Sequence, residues 1–270
     1  MVSFLEPFFI QGDPMSIERD QLIKTLNKIF KPQEFKDYGP NGLQIEGKKS
    51  IKNIAFSVSA TLDSIEKAIE GRAHALIVHH GLLWNFHGVR PLTGHFGKRI
   101  SNILRYQINL FGFHLPLDAH PEIGNAKSLG NLINLQNTSP FGDYKGCPTG
   151  IKGQLPKAIK AKDLKTSLEN TLNHPILMSS PGSDLSIKTI GIITGGANSG
   201  WKEAEEEGLD AYITGEMSEY DWHESKEAGI HMFAGGHHAT EKFGIQSLQD
   251  KVQKLYPETE CFFIDSENPA

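Results

Sequence analysis

With 270 residues, 38% of them apolar and 22% charged, the chain can bury a substantial core and has the composition of a globular protein. Its net charge of -5, with 27 basic residues scattered among 32 acidic ones, argues against an electrostatic nucleic-acid binder. Cys147 and Cys261 are far apart with no CxxC spacing, which fits a reducing cytoplasm and not a thiolate metal site.

The first fourteen residues, MVSFLEPFFIQGDP, lack a basic n-region, and Glu6 and Pro7 interrupt their apolar run. They read as neither signal peptide nor membrane span. Met15 directly precedes Ser16, a candidate N-cap, so residues 1–14 are expected to be an extension outside the fold, with the start at Met1 or Met15. No other stretch approaches transmembrane length, and a cytoplasmic location is expected.

From Ile17 to Phe30, apolar residues at 22, 23, 26, 29 and 30 make a helical stripe that Pro32 ends. The turn-forming run Asp37 to Gly42 leads into a short strand, Leu43-Gln44-Ile45. An internal repeat follows. IKNIAFSVSATLDSIEKAIEGRAHALIVHHG from Ile51 aligns without gaps to IKTIGIITGGANSGWKEAEEEGLDAYITGEM from Ile187, matching at Ile51/Ile187, Ile54/Ile190, Ala75/Ala211 and Ile77/Ile213, among others. Each copy reads as strand, helix of about a dozen residues, and buried strand, a βαβ unit with parallel strands. Each continues through a helix (98–106 and 218–227) into a third strand, INLFGFH or IHMFAGGH. Each then reaches a histidine with an acid four residues on: His114/Asp118 and His237/Glu241. Between the copies, Gly150–Leu155 reads as a strand and Ala161–Leu172 as a helix; Cys261–Asp265 is a final strand. The class is α/β, with two related halves from an internal duplication. Residues 15–130 with 235–270 are expected to form the first half and 131–234 the second.

Functional residues in α/β sheets gather at the carboxyl ends of parallel strands. His79 and His80 follow the apolar run Ala75–Val78. Adjacent residues on a strand point to opposite faces, so both reach one site only if the chain turns at Gly81; otherwise one of them is structural. Asp118 lies past Pro116, at a strand exit, where it could bind cations or cap a helix beginning near Gly124. His237 and Glu241 follow Gly235-Gly236 and project from one helix face if a helix starts near His238, as a metal-binding pair or a surface ion pair. Three such clusters at strand ends, two at matching points of the repeat, point together to a two-metal site of His79, His80, Asp118, His237 and Glu241. Imidazoles with carboxylates suit Zn, Mn, Fe or Co, and a pair of such ions activates water as the nucleophile. Glu216 occupies the repeat position of His80 and, with His114, is a candidate supporting residue around the metals. The turn Gly195–Gly200 has neither nucleotide-loop spacing and reads as a plain tight turn. Trp84, Trp201 and Trp222 read as packing residues.

The stretches DYGPNGLQIEG, IVHHGLLW, HLPLDAHPEIGNA, ITGE and GGHHATEKFG resemble the Nif-three-like family, also called GTP cyclohydrolase 1 type 2 homologs, in its bacterial form. That resemblance places the family's dinuclear site on the same five residues: His79, His80, Asp118, His237 and Glu241. It implies two divalent ions per subunit, a site in the cleft between two related halves, and a ring-shaped homohexamer. The family label implies a metal-dependent hydrolase, with guanine ring opening as the namesake reaction, and this chain carries no recognisable guanine-reading motif. A hydrolase of a small nucleotide-like or phosphorylated substrate is the expected function. A non-catalytic metal carrier, regulator or scaffold using the same ligands is the alternative. No membrane partner is expected.

Overall fold

The computed structural model describes residues 16–182 and 185–270; the expected extension at 1–14 and the alternative start at Met15 lie outside the described residues. In chain order, the first part runs β1 (Ile17–Glu18), α1 (Arg19–Phe30), β2 (Gly42–Ile45), β3 (Ser50–Ile51), β4 (Asn53–Ser59), α2 (Leu62–Glu70), β5 (Ala75–His80), α3 (Gly94–Tyr106), β6 (Asn109–Gly112), α4 (Leu115–Asp118) and α5 (Asn125–Leu132). The second part runs β7 (Gln136–Tyr144), β8 (Cys147–Lys160), α6 (Ala161–Leu172), β9 (Leu177–Ser179), β10 (Ser186–Ile192), α7 (Trp201–Glu206), β11 (Ala211–Thr214), α8 (Glu219–Glu227) and β12 (His231–Ala234). The long helix α9 (His237–Leu255) and β13 (Glu260–Phe263) complete the chain.

The elements build two large mixed sheets, ordered β13-β4-β5-β6-β2 and β7-β8-β10-β11-β12-β9, and a two-stranded sheet of β1 and β3, and the fold is α/β. In the first, β13, β4, β5 and β6 run parallel and β2 is antiparallel to β6. In the second, β10, β11 and β12 run parallel and β9 is antiparallel to β12. In both large sheets an antiparallel edge strand, β2 or β9, precedes three consecutive parallel strands, β4-β5-β6 or β10-β11-β12, in sequence. The inner strands are mostly apolar because helices cover both their faces: Ile54 to Val58 and Ala75 to His79 are buried without interruption.

Local chemistry sets the ends of the helices. Thr61 Oγ1 accepts the Ser64 N–H and Ser64 Oγ accepts the Thr61 N–H, a reciprocal cap that starts α2 where β4 ends. The helix expected from Ile17 begins at Arg19 instead, because Ile17 and Glu18 pair antiparallel with Ile51 and Ser50; Glu18, not Ser16, precedes it. The crossover helices are shorter than a dozen residues. α2 has nine, and α7 has six because a 3-10 turn (Asn198–Gly200) delays its start and Gly208, at φ +67°, follows its end. The expected strand 150–155 is the middle of the longer β8, which pairs with β7 in a hairpin. Lys145 and Gly146 both have positive φ (53° and 88°), as a two-residue hairpin turn requires.

One core packs Phe56, Ile77 and Phe111 of the first sheet against Leu22 and Leu26 of α1 and Leu248 and Val252 of α9. A second packs Ile190, Ile213 and Phe233 against Leu164 and Leu168 of α6 and Leu129 of α5. Helix α9 joins both, because Ala239 in its first turn belongs to the second core. Among the described residues no helix is long and apolar enough to cross a membrane.

Candidate metal centre

Strand β5 carries His79 and His80 at its carboxyl end. The strand runs through both without a turn between them, yet the rings lie with centroids 4.5 Å apart. Gly81 does close the strand: a Cβ there would meet the Gln44 side chain at 2.3 Å, and Gln44 Oε1 accepts the Leu82 N–H just beyond. His79 is fully buried and His80 partly exposed. Asp118 ends the single turn of α4 after β6. It does not cap α5: the residue before that helix is Gly124, and Asp118 Oδ1 accepts a 2.7 Å hydrogen bond from the Asn125 side chain. His237 opens α9 after β12, and Glu241 lies one turn further on the same face.

The five residues converge on the buried carboxylate of Glu241. Its Oε1 is 3.4 Å from His79 Nε2, and its Oε2 is 3.4 Å from His80 Nε2 and 3.3 Å from His237 Nε2. Oε2 is buried and accepts no well-formed hydrogen bond. Asp118 Oδ1 lies 3.6 Å from His79 Nε2. Three sets of side chains bring donor atoms close enough to hold a metal ion: His79/Asp118/Glu241, His80/His237/Glu241 and His79/His80/His114.

Each imidazole is held from behind through Nδ1. His79 Nδ1 donates to the Phe113 carbonyl (3.0 Å), His114 Nδ1 to Asp37 (2.7 Å) and His237 Nδ1 to Glu216 (2.5 Å), while His80 Nδ1 lies 3.0 Å from Ser59 Oγ. An imidazole held this way keeps its proton on Nδ1 and presents the Nε2 lone pair, the arrangement that orients histidines toward metals. The donor set therefore fits divalent cations. Among the described residues it contains no thiolate.

Residues 17–269 match the family described as Duf34/NIF3 (NGG1p interacting factor 3). The chain belongs to the DUF34/NIF3 family. A Pasteurella multocida (strain Pm70) protein named GTP cyclohydrolase 1 type 2 homolog is 40% identical over 251 residues, which cover 93% of this chain and 98% of that protein. A Haemophilus influenzae protein of the same name is 40% identical over 256 residues, covering 94% and 99%. Among solved structures, protein ybgI superposes with a TM-score of 0.88 at 34% identity, covering 94% of this chain and 100% of that one. TTHA1606 from Thermus thermophilus superposes at 0.84 with 29% identity, covering 94% and 100%.

Several residues that support the site in this DUF34/NIF3 chain have little sequence signal of their own. Asp37 accepts from the His114 ring and from the Leu115 N–H (2.9 Å), while Asn41 Oδ1 accepts the His114 N–H, so the DYGPNGLQ loop is a cradle for His114. Asn125 spans Asp118 and His79. Gly195, in the turn expected to be a plain one, has φ +71°, and a Cβ there would lie 2.2 Å from Glu241 Oε1; only glycine lets the carboxylate sit there. Glu216 is half exposed and stands behind His237, and it also lines an 860 Å³ cavity. Trp201 is packing, its indole bonded to buried Asp221, but Trp84 lines the 600 Å³ cleft that opens over His80, Asp118, His237 and Glu241.

The electrostatics follow from burial and crowding. Burial opposes charge on His79, but the carboxylates of Asp118 and Glu241 outweigh it and push its pKa up to about 9. His237 likewise resists burial through Glu241 and Glu216 and rises to about 9. His80 is driven well below the ordinary imidazole value by burial, with the neighbouring imidazoles adding to the effect. Burial pushes the Asp118 pKa up, whereas at Glu241 the His80 and His79 rings overcome burial and hold it well below the usual carboxylate range.

Proposed function

We propose that this DUF34/NIF3 protein holds two divalent ions and hydrolyses a small nucleotide-like or phosphorylated substrate. The carrying observation is the convergence of His79, His80 and His237 Nε2 on one buried, under-bonded carboxylate, with the Nδ1 protons of His79 and His237 tied back to Phe113 and Glu216. On this reading His79, Asp118 and Glu241 would hold one ion and His80, His237 and Glu241 the other. His114 stands beside the first two histidines as a further donor or an orienting group. Imidazole with carboxylate suits Zn, Mn, Fe or Co. Bound ions supply Lewis acidity, polarising a substrate oxygen and making water acidic enough to attack near neutral pH. The protein's own part is positional: Phe113, Asn125, Asp37 and Glu216 hold the ligands, and the 600 Å³ cleft admits a ligand of nucleotide size. The curated relatives' name, GTP cyclohydrolase 1 type 2 homolog, agrees with this substrate class.

All five ligands lie in residues 15–130 with 235–270, and Gly195 and Glu216 of residues 131–234 press against Glu241 and His237, which supports a site in the cleft between these two halves. The shared order of three parallel strands with an earlier antiparallel edge strand supports an internal duplication. The exposed Phe86, Val89 and Leu92 on one loop support a self-associating, ring-shaped hexamer, and the two free thiols suit the cytoplasm.

Elemental analysis of protein purified without chelator, followed by turnover assays on nucleotide and phosphoester panels, tests the reading. Two ions per chain with turnover that Asp118→Ala abolishes are expected. Two ions that transfer readily to an acceptor apoprotein, with no turnover on any panel, would make the protein a metal carrier instead.

A further inference from the structure

The wall of the cleft above the centre is aromatic in a way that packing alone does not demand. Trp84 stands edge-on to His114 (5.1 Å, 90°), and its indole N–H donates to the Gly81 carbonyl at 3.0 Å, which pins the ring at the mouth. Phe86, 68% exposed, stacks on it at 5.6 Å. Tyr38 lies 5.8 Å from the His114 ring, and Tyr144, at the tip of the β7–β8 hairpin, lies 5.5 Å from Tyr38. The Lys145 ammonium sits 5.2 Å and 4.8 Å from these two tyrosine rings, placing positive charge at the rim. Thr194, only 7% exposed, also lines the cleft, and its buried hydroxyl has no hydrogen-bond partner.

We infer that this cleft is a stacking slot for a flat heteroaromatic ring carrying an anionic group, seated with its edge toward the metal centre. The inference rests on the hydrolytic reading of that centre and names its substrate class. Aromatic faces bind planar rings whatever their substituents, because every such ring has a π-face to offer. A buried hydroxyl left unpaired is costly, and a ring nitrogen or exocyclic group at the inner edge would satisfy Thr194 where a saturated chain would not. Lys145 at the rim suits a phosphate or carboxylate on the outer side of the ring. The volume of 600 Å³ lies within the range of small-molecule sites, roughly 300–1,000 Å³.

The test is a titration of zinc-loaded protein with guanosine 5′-monophosphate, uridine 5′-monophosphate and ribose 5-phosphate, followed by tryptophan fluorescence and calorimetry, with metal content measured on the same samples. Both nucleotides should quench fluorescence and bind at least roughly tenfold more tightly than the ring-less sugar phosphate. Trp84→Leu should remove most of that advantage and leave ribose 5-phosphate binding as it was, whereas Trp84→Phe should retain most of it. Thr194→Val, which keeps the shape and removes the hydroxyl, should weaken both nucleotides by about threefold or more. Should Trp84→Leu fail to fold, Trp84→Phe and Thr194→Val decide. Equal affinity for all three ligands, or nucleotide binding indifferent to Trp84→Leu and Thr194→Val, overturns the slot. Ring-selective binding by protein that takes up no metal would sink the hydrolytic centre and leave the slot standing. Full metal loading with no ring preference would do the reverse.

Discussion

Loading the centre with metal should expel protons, and the extent follows from two imidazoles. In the metal-free protein His79 and His237 have pKa values of about 9, because neighbouring carboxylates outweigh their burial. An ion takes the Nε2 lone pair that each proton occupies. At pH 7 the His79 proton must be removed some two units below its pKa, which costs about 3 kcal/mol. His80, held well below the ordinary imidazole value, has no proton to lose. Apparent affinity should therefore climb between pH 7 and 9, by up to about tenfold per pH unit for each proton displaced, and level off above pH 9. The effect on the metal-free fold has the opposite sign. Because the folded-state pKa values lie above the ordinary 6.5, the charged rings contribute their full stability below pH 6.5 and lose it as pH rises through about 9. The gap in Tm between loaded and metal-free protein should widen across that window. Calorimetric titration with chelator-buffered zinc, in two buffers of different ionisation enthalpy at pH 7, counts the protons directly. About two per fully loaded chain are expected. Release near zero, or an affinity flat from pH 6.5 to 9, would refute the reasoning.

Glu241→Gln should cost the protein both ions, since Glu241 belongs to both candidate ligand sets, whereas Asp118→Asn should cost one; elemental analysis separates these outcomes from equal losses. Gly195→Ala forces a side chain into φ +71° and against Glu241, so a loss of roughly 1–3 kcal/mol in chemical denaturation and reduced metal occupancy are expected. Phe56, fully buried in β4 and remote in sequence from the ligands, reports on the core alone. Phe56→Ala should destabilise the fold by about 3–5 kcal/mol, seen as a lower denaturant midpoint.

The parallel strands were legible because strands covered on both faces are written as near-continuous apolar runs, as in Ile54 to Phe56 and Ala75 to Val78. β7 was not. QNTSPFGDY is polar, contains a proline and is mostly exposed, and it holds its place at the sheet edge through its ladder to β8. The five candidate ligands were visible because their chemistry is in the side chains and they fall at strand ends. Among their supports Glu216, behind His237, was legible too, but most were not. The group behind His79 is the carbonyl of Phe113, and a carbonyl has no sequence signature. The group behind His114 is Asp37, which lies 77 positions away and is brought near only by the pairing of β2 with β6. Trp84 was read as packing for a related reason: an indole facing a cleft and one facing a core look alike until the neighbouring loop is placed.

The centre also ties the two sheets together. His79 and His80 leave β5 of the first sheet, while His237 and Glu241 sit on the first turn of α9, directly after β12 of the second. That turn packs Ala239 into the second core, while Ile245, Leu248 and Val252, further along the helix, anchor it in the first. Thr240 Oγ1 accepts the Gly195 N–H, so the glycine turn follows the helix start as well. If metals bridge these elements, removing them leaves raised-pKa histidines facing buried carboxylates, and the first turn of α9 should open more often than the rest of the helix. Hydrogen exchange after chelation should therefore accelerate in peptides covering 193–197 and 235–245, while β4 and β5 up to Val78 keep their protection. Exchange that is unchanged by chelation, or that rises equally in the β4–β5 core, would mean that metal and the docking of the two sheets are independent.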